Sequence, residues 1–177
     1  MTSNNANPKR VMAISPTSRG FGFVVFESQT SLIEWAVKTV RQKKEESTLA
    51  KVLKLFRLYK PETVVVEDYQ DSRLGKRNQK LLSAICDLAG REGLKSRRFS
   101  VSRVKRIFRT FGAKTKHEIA KAVSQQLPEL TSLLPPPRKA WESEGYRMPI
   151  FDAAALALTY FYSHAVRNGN VRKLVSS

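Results

Sequence analysis

The chain has 177 residues, 41% of them hydrophobic, which suits one domain with a substantial core. Lys and Arg outnumber Asp and Glu by 32 to 15, a formal charge of +17, so the expected partner is a polyanion, DNA or RNA first. No apolar run has the length of a membrane span, the polar first ten residues do not read as a signal peptide, and a lone cysteine, Cys86, excludes an internal disulfide or a Cys-rich zinc site.

Residues 1–9 lack apolar periodicity and are expected to be a disordered tail. Val11 to Ser15 reads as a first strand, Pro16 to Gly20 as a turn, and Phe21 to Phe26 as a second, returning strand. Leu32 to Lys38 fits a third strand better than a short helix. Leu49, Val52, Leu53, Phe56 and Tyr59 form a helical stripe over 45–59, and Pro61 ends it. Val64, Val65 and Val66, followed by Glu67 and Asp68, suit a strand buried on both faces in the middle of a sheet. A helix over 76–91 turns Leu81, Leu82, Ile85 and Leu88 inward, with Cys86 in its apolar stripe and Gly93 as its stop. Residues 94–99 make a short strand, and Ser102 can cap a helix running to Gly112. Thr115 with Glu118 is a capping box opening a further helix. The run Leu133 to Trp141 (LLPPPRKAW) is an extended connector. Residues 151–166 form the last, strongly apolar helix, and 168–177 read as a loose basic tail. One domain over 10–167 follows.

Glu67 is the informative residue. A carboxylate ending so apolar a strand loses hydration, and an arginine, a lysine or a divalent cation must offset the cost. Arg73 in the following loop is one candidate partner. A dication is the other, because phosphodiester cleavage by two metals takes acids from separated places, and Mg²⁺ prefers oxygen ligands. A strand hairpin, then a βαβ unit, then a closing helix is the assembly order of an RNase H-like fold: a mixed five-stranded sheet with helices on both faces. Its first strand is central, the strand carrying Glu67 lies beside it, and the start of the last helix packs against both. Asp152, just inside that helix, then supplies a second acid, unless it serves only as a helix N-terminal acid favoured by the dipole.

The stretch Ala13-Ile14-Ser15-Pro16-Thr17-Ser18-Arg19-Gly20-Phe21-Gly22 resembles the opening of RuvC-type Holliday junction resolvases, Gly-Ile-Asp-Pro-Gly-Ser-Arg followed by a glycine hairpin. Glu67 matches that family's second acid, and Asp152 before its Ala/Leu-rich run matches the closing acid. The stretch Gly112 to Ile119 resembles the family's lysine-rich helix start. The resemblance spans roughly residues 11–165. It implies a Mg²⁺- or Mn²⁺-dependent, crossover-junction type of endonuclease that binds branched DNA and acts as a homodimer in the cytoplasm, at the nucleoid.

The departures are specific. Ser15 stands at the family's first aspartate, Thr17 replaces the following glycine, and Pro149 occupies a place where the family often has an acid or histidine. A hydroxyl is a poor magnesium ligand, so metal is expected to be held weakly. Asp68 or Asp71 are the candidates to compensate. Catalysis, if present, falls to Glu67, Asp152 and Ser15. The nucleic-acid face is expected at Arg97, Arg98, Arg103, Lys105, Arg106, Lys114 and Lys116, within a stretch from Lys95 to Lys121 in which Glu118 is the single acid. Arg73, Lys76, Arg77 and Lys80 are expected to line the same cleft, with Arg19 and Tyr69 beside them. Trp35, Trp141, His117 and His164 read as packing or solvated residues. Three functions stay open: an endonuclease with an altered site, a junction-binding protein without the chemistry, and a basic RNA or nucleoid scaffold.

Overall fold

The computed structural model describes residues 9–42, 44–70 and 73–167. The expected N-terminal tail (but for residue 9), Asp71 and the expected basic tail at 168–177 lie outside the described residues. Five strands form one mixed sheet: β1 (Val11–Thr17), β2 (Gly20–Ser28), β3 (Ser31–Thr39), β4 (Thr63–Glu67) and β5 (Lys95–Phe99). Their order across the sheet is β3-β2-β1-β4-β5. β2 runs antiparallel to β1 and β3, whereas β4 is parallel to both β1 and β5. The valine run of β4 is therefore flanked by strands on both edges, and Val64, Val65 and Val66 are fully buried.

The helices are α1 (Lys44–Tyr59), α2 (Lys76–Arg91), α3 (Val101–Arg109), α4 (Lys116–Gln126) and α5 (Met148–Arg167), with a 3-10 turn at Pro128–Leu133 before α5. Alternation along the strands divides the core in two. Met12, Ile14, Val64 and Val66 face α1 and α2; Val11, Ala13 and Val65 face α3, α4 and α5. Both faces of the sheet are thus covered, as α/β layering requires.

Several boundaries differ from the sequence reading. β1 runs on through Pro16 and Thr17, because Pro16 pairs with Phe21 and Thr17 with Gly20; the turn shrinks to Ser18 and Arg19. Asp68 falls outside β4. Ser100, not Ser102, caps α3: its hydroxyl accepts the backbone N–H of Arg103. That helix stops at Arg109 rather than Gly112. α5 begins at Met148, three residues early, since a proline in the first turn lacks only an N–H that would have had no partner. Part of the proline-rich connector's approach, Leu133 included, is wound into the 3-10 turn rather than extended.

A glycine in β2 lets α5 come down onto the sheet. Gly22 pairs with Ser15, and a Cβ built on it would lie 2.5 Å from the carbonyl carbon of Pro149. Only a residue without a side chain lets the start of α5 sit that close to β2.

Candidate active site and nucleic-acid interface

Ile14 pairs with Val66, so Ser15 and Glu67 stand one step further along adjacent parallel strands, Glu67 at the end of β4 and Ser15 two residues before the end of β1. Since Ile14 and Val66 face α1 and α2, Ser15 and Glu67 project to the opposite face. α5 lies on that face with its first turns against β1 and β2, and Asp152 sits in its second turn. The three residues expected from separated parts of the chain line one cavity of about 260 Å³. Its remaining walls include Val104 and Lys105 of α3, Lys116 and Ile119 of α4, and Leu156 of α5. Ser15 is buried, at 8% exposure.

Asp152 is ion-paired. Lys116 Nζ stands 3.0 Å from Asp152 Oδ2 and also pairs with Glu144. Burial pushes the Asp152 carboxyl up to about 6 against the pull of Lys116, with Glu144 adding a smaller push in the same direction. Burial alone would lower the Lys116 ammonium; Asp152 and Glu144 together carry it above the ordinary lysine range. The position of Lys116 is fixed by the turn before it. Thr115 accepts the backbone N–H of Glu118, and the Glu118 carboxylate accepts those of Lys114 and Thr115, so the expected capping box is complete. Lys116, expected only as a phosphate contact, thus leans into the acidic end of the cavity. Glu144 was missed by the sequence reading, because it lies in an irregular, exposed segment where no periodicity marks a contact with another element.

A pair of dications sets a clear requirement on the donor set. Magnesium takes oxygen ligands, and two dications held side by side need anionic charge from the protein to offset their own. Here the lining offers two carboxylates, Glu67 and Asp152, with a hydroxyl at Ser15, and it also holds two lysines, one of them, Lys116, paired with Asp152. Among the described residues no group of three or more His, Cys, Asp or Glu side chains gathers in a metal-holding arrangement. These residues do not fit a two-metal site. Asp68 does not repair it: its carboxylate lies 3.9 Å from Arg98 and lines a separate groove, while its backbone N–H donates to Phe99 O.

The basic residues distribute over more than one surface. Lys105 and Lys116 line the cavity itself. Arg97, Arg98 and Arg103 line the neighbouring groove with Ser100, Tyr160, Ser163 and His164. Arg98 also stacks on Tyr69, 4.8 Å from the ring centroid, so that ring is partly engaged within the fold. Arg19, Arg106 and Lys114 are exposed, on the β1–β2 turn, on α3 and in the turn before α4. Arg73, Lys76, Arg77 and Lys80 do not line the cavity, contrary to expectation. They belong to α2 and the loop before it, α2 packs on the other face of the sheet, and Lys80 pairs there with Glu45 of α1. Trp35 packs against the core as expected, but Trp141 is 81% exposed, with Lys139 beside its ring. His117 is not simply solvated either: its Nε2 lies 3.0 Å from Pro135 O, which ties α4 to the proline-rich segment. Cys86 is half-buried against the α1/α2 core, and burial raises its thiol. No described helix is long and apolar enough to cross a membrane.

No protein-family model and no curated protein matches this sequence. Solved structures do match in shape. RuvC of T. thermophilus in complex with a Holliday junction substrate superposes with a TM-score of 0.63 at 23% identity, over 89% of this chain and 96% of that one. A Thermus thermophilus RuvC structure gives 0.62 at 23% identity, over 91% and 97%. A fowlpox virus resolvase in complex with Holliday junction DNA gives 0.51 at 12% identity, over 89% and 98%. Mutual coverage is near complete, and the chain has a mixed five-stranded RNase H-like fold, shared with these RuvC structures.

Proposed function

We propose that this protein binds branched DNA, with preference for a four-way junction over plain duplex, as a RuvC-like protein whose active site is altered. The observation that carries this reading is the meeting of Ser15, Glu67 and Asp152 in one cavity whose surroundings are cationic: Lys105 and Lys116 inside it, Arg97, Arg98 and Arg103 in the groove beside it. Two of the structures that share its fold are resolvases bound to Holliday junction DNA, which supports the choice of branched DNA over a general RNA or nucleoid scaffold. The test is titration of a labelled four-way junction and a matched duplex. The junction is bound more tightly, and changing Arg97, Arg98, Arg103 and Arg106 together to alanine weakens binding at least tenfold while circular dichroism stays native. Equal affinity for junction and duplex sinks the structure-selective reading.

Cleavage is the second reading, favoured by the shared cavity of Glu67 and Asp152. Two dications held by these acids would supply the chemistry, one by activating water and one by stabilising the leaving oxygen. With a hydroxyl at Ser15 the site lacks the charge to hold two such ions, so the natural chain nicks a junction in Mg²⁺ or Mn²⁺ weakly or not at all. Ser15→Asp raises any nicking, and Asp152→Asn in that background removes it. Brisk Mg²⁺-dependent cleavage by the unmodified chain that survives Asp152→Asn would put the chemistry elsewhere.

A further inference from the structure

At the cavity an ammonium already stands where the fold's carboxylates would meet a dication. Lys116 Nζ is 3.0 Å from Asp152 Oδ2 and paired on its other side with Glu144. Lys105 lines the same cavity, so its lining holds two acids, Glu67 and Asp152, and two lysines. The lining is neutral in sum without any metal. A dication seeking Asp152 must first displace an ammonium whose helix start is anchored by the Thr115–Glu118 capping box. With Ser15 in place of a third carboxylate, nothing on β1 compensates for that displacement.

We propose that Lys116 is a resident cation of this site, clamped by Asp152 and Glu144, and that it replaces divalent metal: DNA phosphate entering the cavity meets Lys116 and Lys105 directly. The DNA half of this statement rests on the branched-DNA reading above; the metal half does not. An ammonium gives a phosphate charge and hydrogen bonds, which suffices for binding. It cannot lower the pKa of a coordinated water, so the substitution retains phosphate recognition and gives up the nucleophile.

The experiment measures Mn²⁺ binding, by electron paramagnetic resonance of the free ion, together with junction affinity by fluorescence anisotropy. Both use the full chain. Wild type is expected to hold no Mn²⁺ below millimolar concentration. Lys116→Met, which keeps the stem and removes the charge, gains at least tenfold in Mn²⁺ affinity. Ser15→Asp with Lys116→Met gains more, and adding Asp152→Asn erases the gain. Lys116→Arg, which retains the cation, stays without Mn²⁺ and guards against a Met variant that merely loosens the fold. Sub-millimolar Mn²⁺ binding by wild type that Asp152→Asn abolishes overturns the proposal, as does a folded Lys116→Met protein with unchanged Mn²⁺ affinity. If the Mn²⁺ results hold but junction preference is absent, the branched-DNA reading falls and the resident cation stands. If junction binding holds but wild type takes up Mn²⁺ through Asp152, the resident cation alone falls.

Discussion

A methyl group at Gly22 would meet the backbone of Pro149 at 2.5 Å, and backbone cannot swing aside as a side chain can. Gly22 pairs with Ser15 across β1 and β2, so the closeness of α5 to the sheet and the depth of the candidate site come from the same residue. Gly22→Ala should therefore cost about 1–3 kcal/mol, the usual range for overpacking a filled core, read as a lower urea midpoint. Gly90 is the control. It lies in α2 with nothing within 4 Å of an added Cβ and no positive φ, so Gly90→Ala should stabilise by about 0.5–1 kcal/mol through helix propensity. A drop of equal size in both variants would mean that close approach at Gly22 is not what matters there.

α4 is an 11-residue helix whose first residue is Lys116, so its N-terminal cap governs where that ammonium points. Thr115→Ala removes the hydroxyl acceptor and should lower stability by about 1 kcal/mol. Glu118 adds a pH signature. Its carboxylate accepts the backbone N–H groups of Thr115 and Lys114, which hold it below the ordinary glutamate range. A depressed carboxylate stabilises the fold while ionised, and that stabilisation is lost as pH falls through its folded-state pKa. The stability gap between wild type and Glu118→Gln should thus be constant at neutral pH and narrow only below the ordinary glutamate range. A gap that instead widens on acidification would contradict the assigned hydrogen bonds. This cap was legible in the sequence because Thr and Glu three apart act locally. The β4 strand was legible for a similar reason, since three valines in a row leave few other conformations. Two misses were local ambiguities, Ser100 against Ser102 as the cap of α3 and a start of α5 that Pro149 tolerates in the first turn; the third, Glu144 folding back onto Lys116, was set by contact between separate segments. No local pattern encodes a partner in another element.

Sheet geometry decides which charges of the whole molecule act together. Alternation along β1 and β4 made the convergence of Ser15, Glu67 and Asp152 readable in outline, because it sends every second residue to the α5 face. Lys76, Arg77 and Lys80 follow β4 closely in the chain, which suggests a place in the same cleft, but the sheet stands between α2 and that cleft. A net charge of +17 attracts DNA from any direction, but bound phosphates release counterions only where they touch the protein. Two triple variants that remove equal charge should therefore differ. Arg97, Arg103 and Arg106 are exposed at or near the groove that neighbours the cavity. Replacing them with alanine should flatten the log–log salt dependence of junction affinity by about 2–3, near the limit of about 0.9 for each phosphate no longer touched. Replacing Lys76, Arg77 and Lys80 should flatten it by less than about 1, because general attraction is weakened while the phosphates at the groove stay bound. The check is junction titration across a series of salt concentrations, with circular dichroism on each variant. Equal changes in slope would mean that junction binding follows total charge and not the surface around Ser15, Glu67 and Asp152.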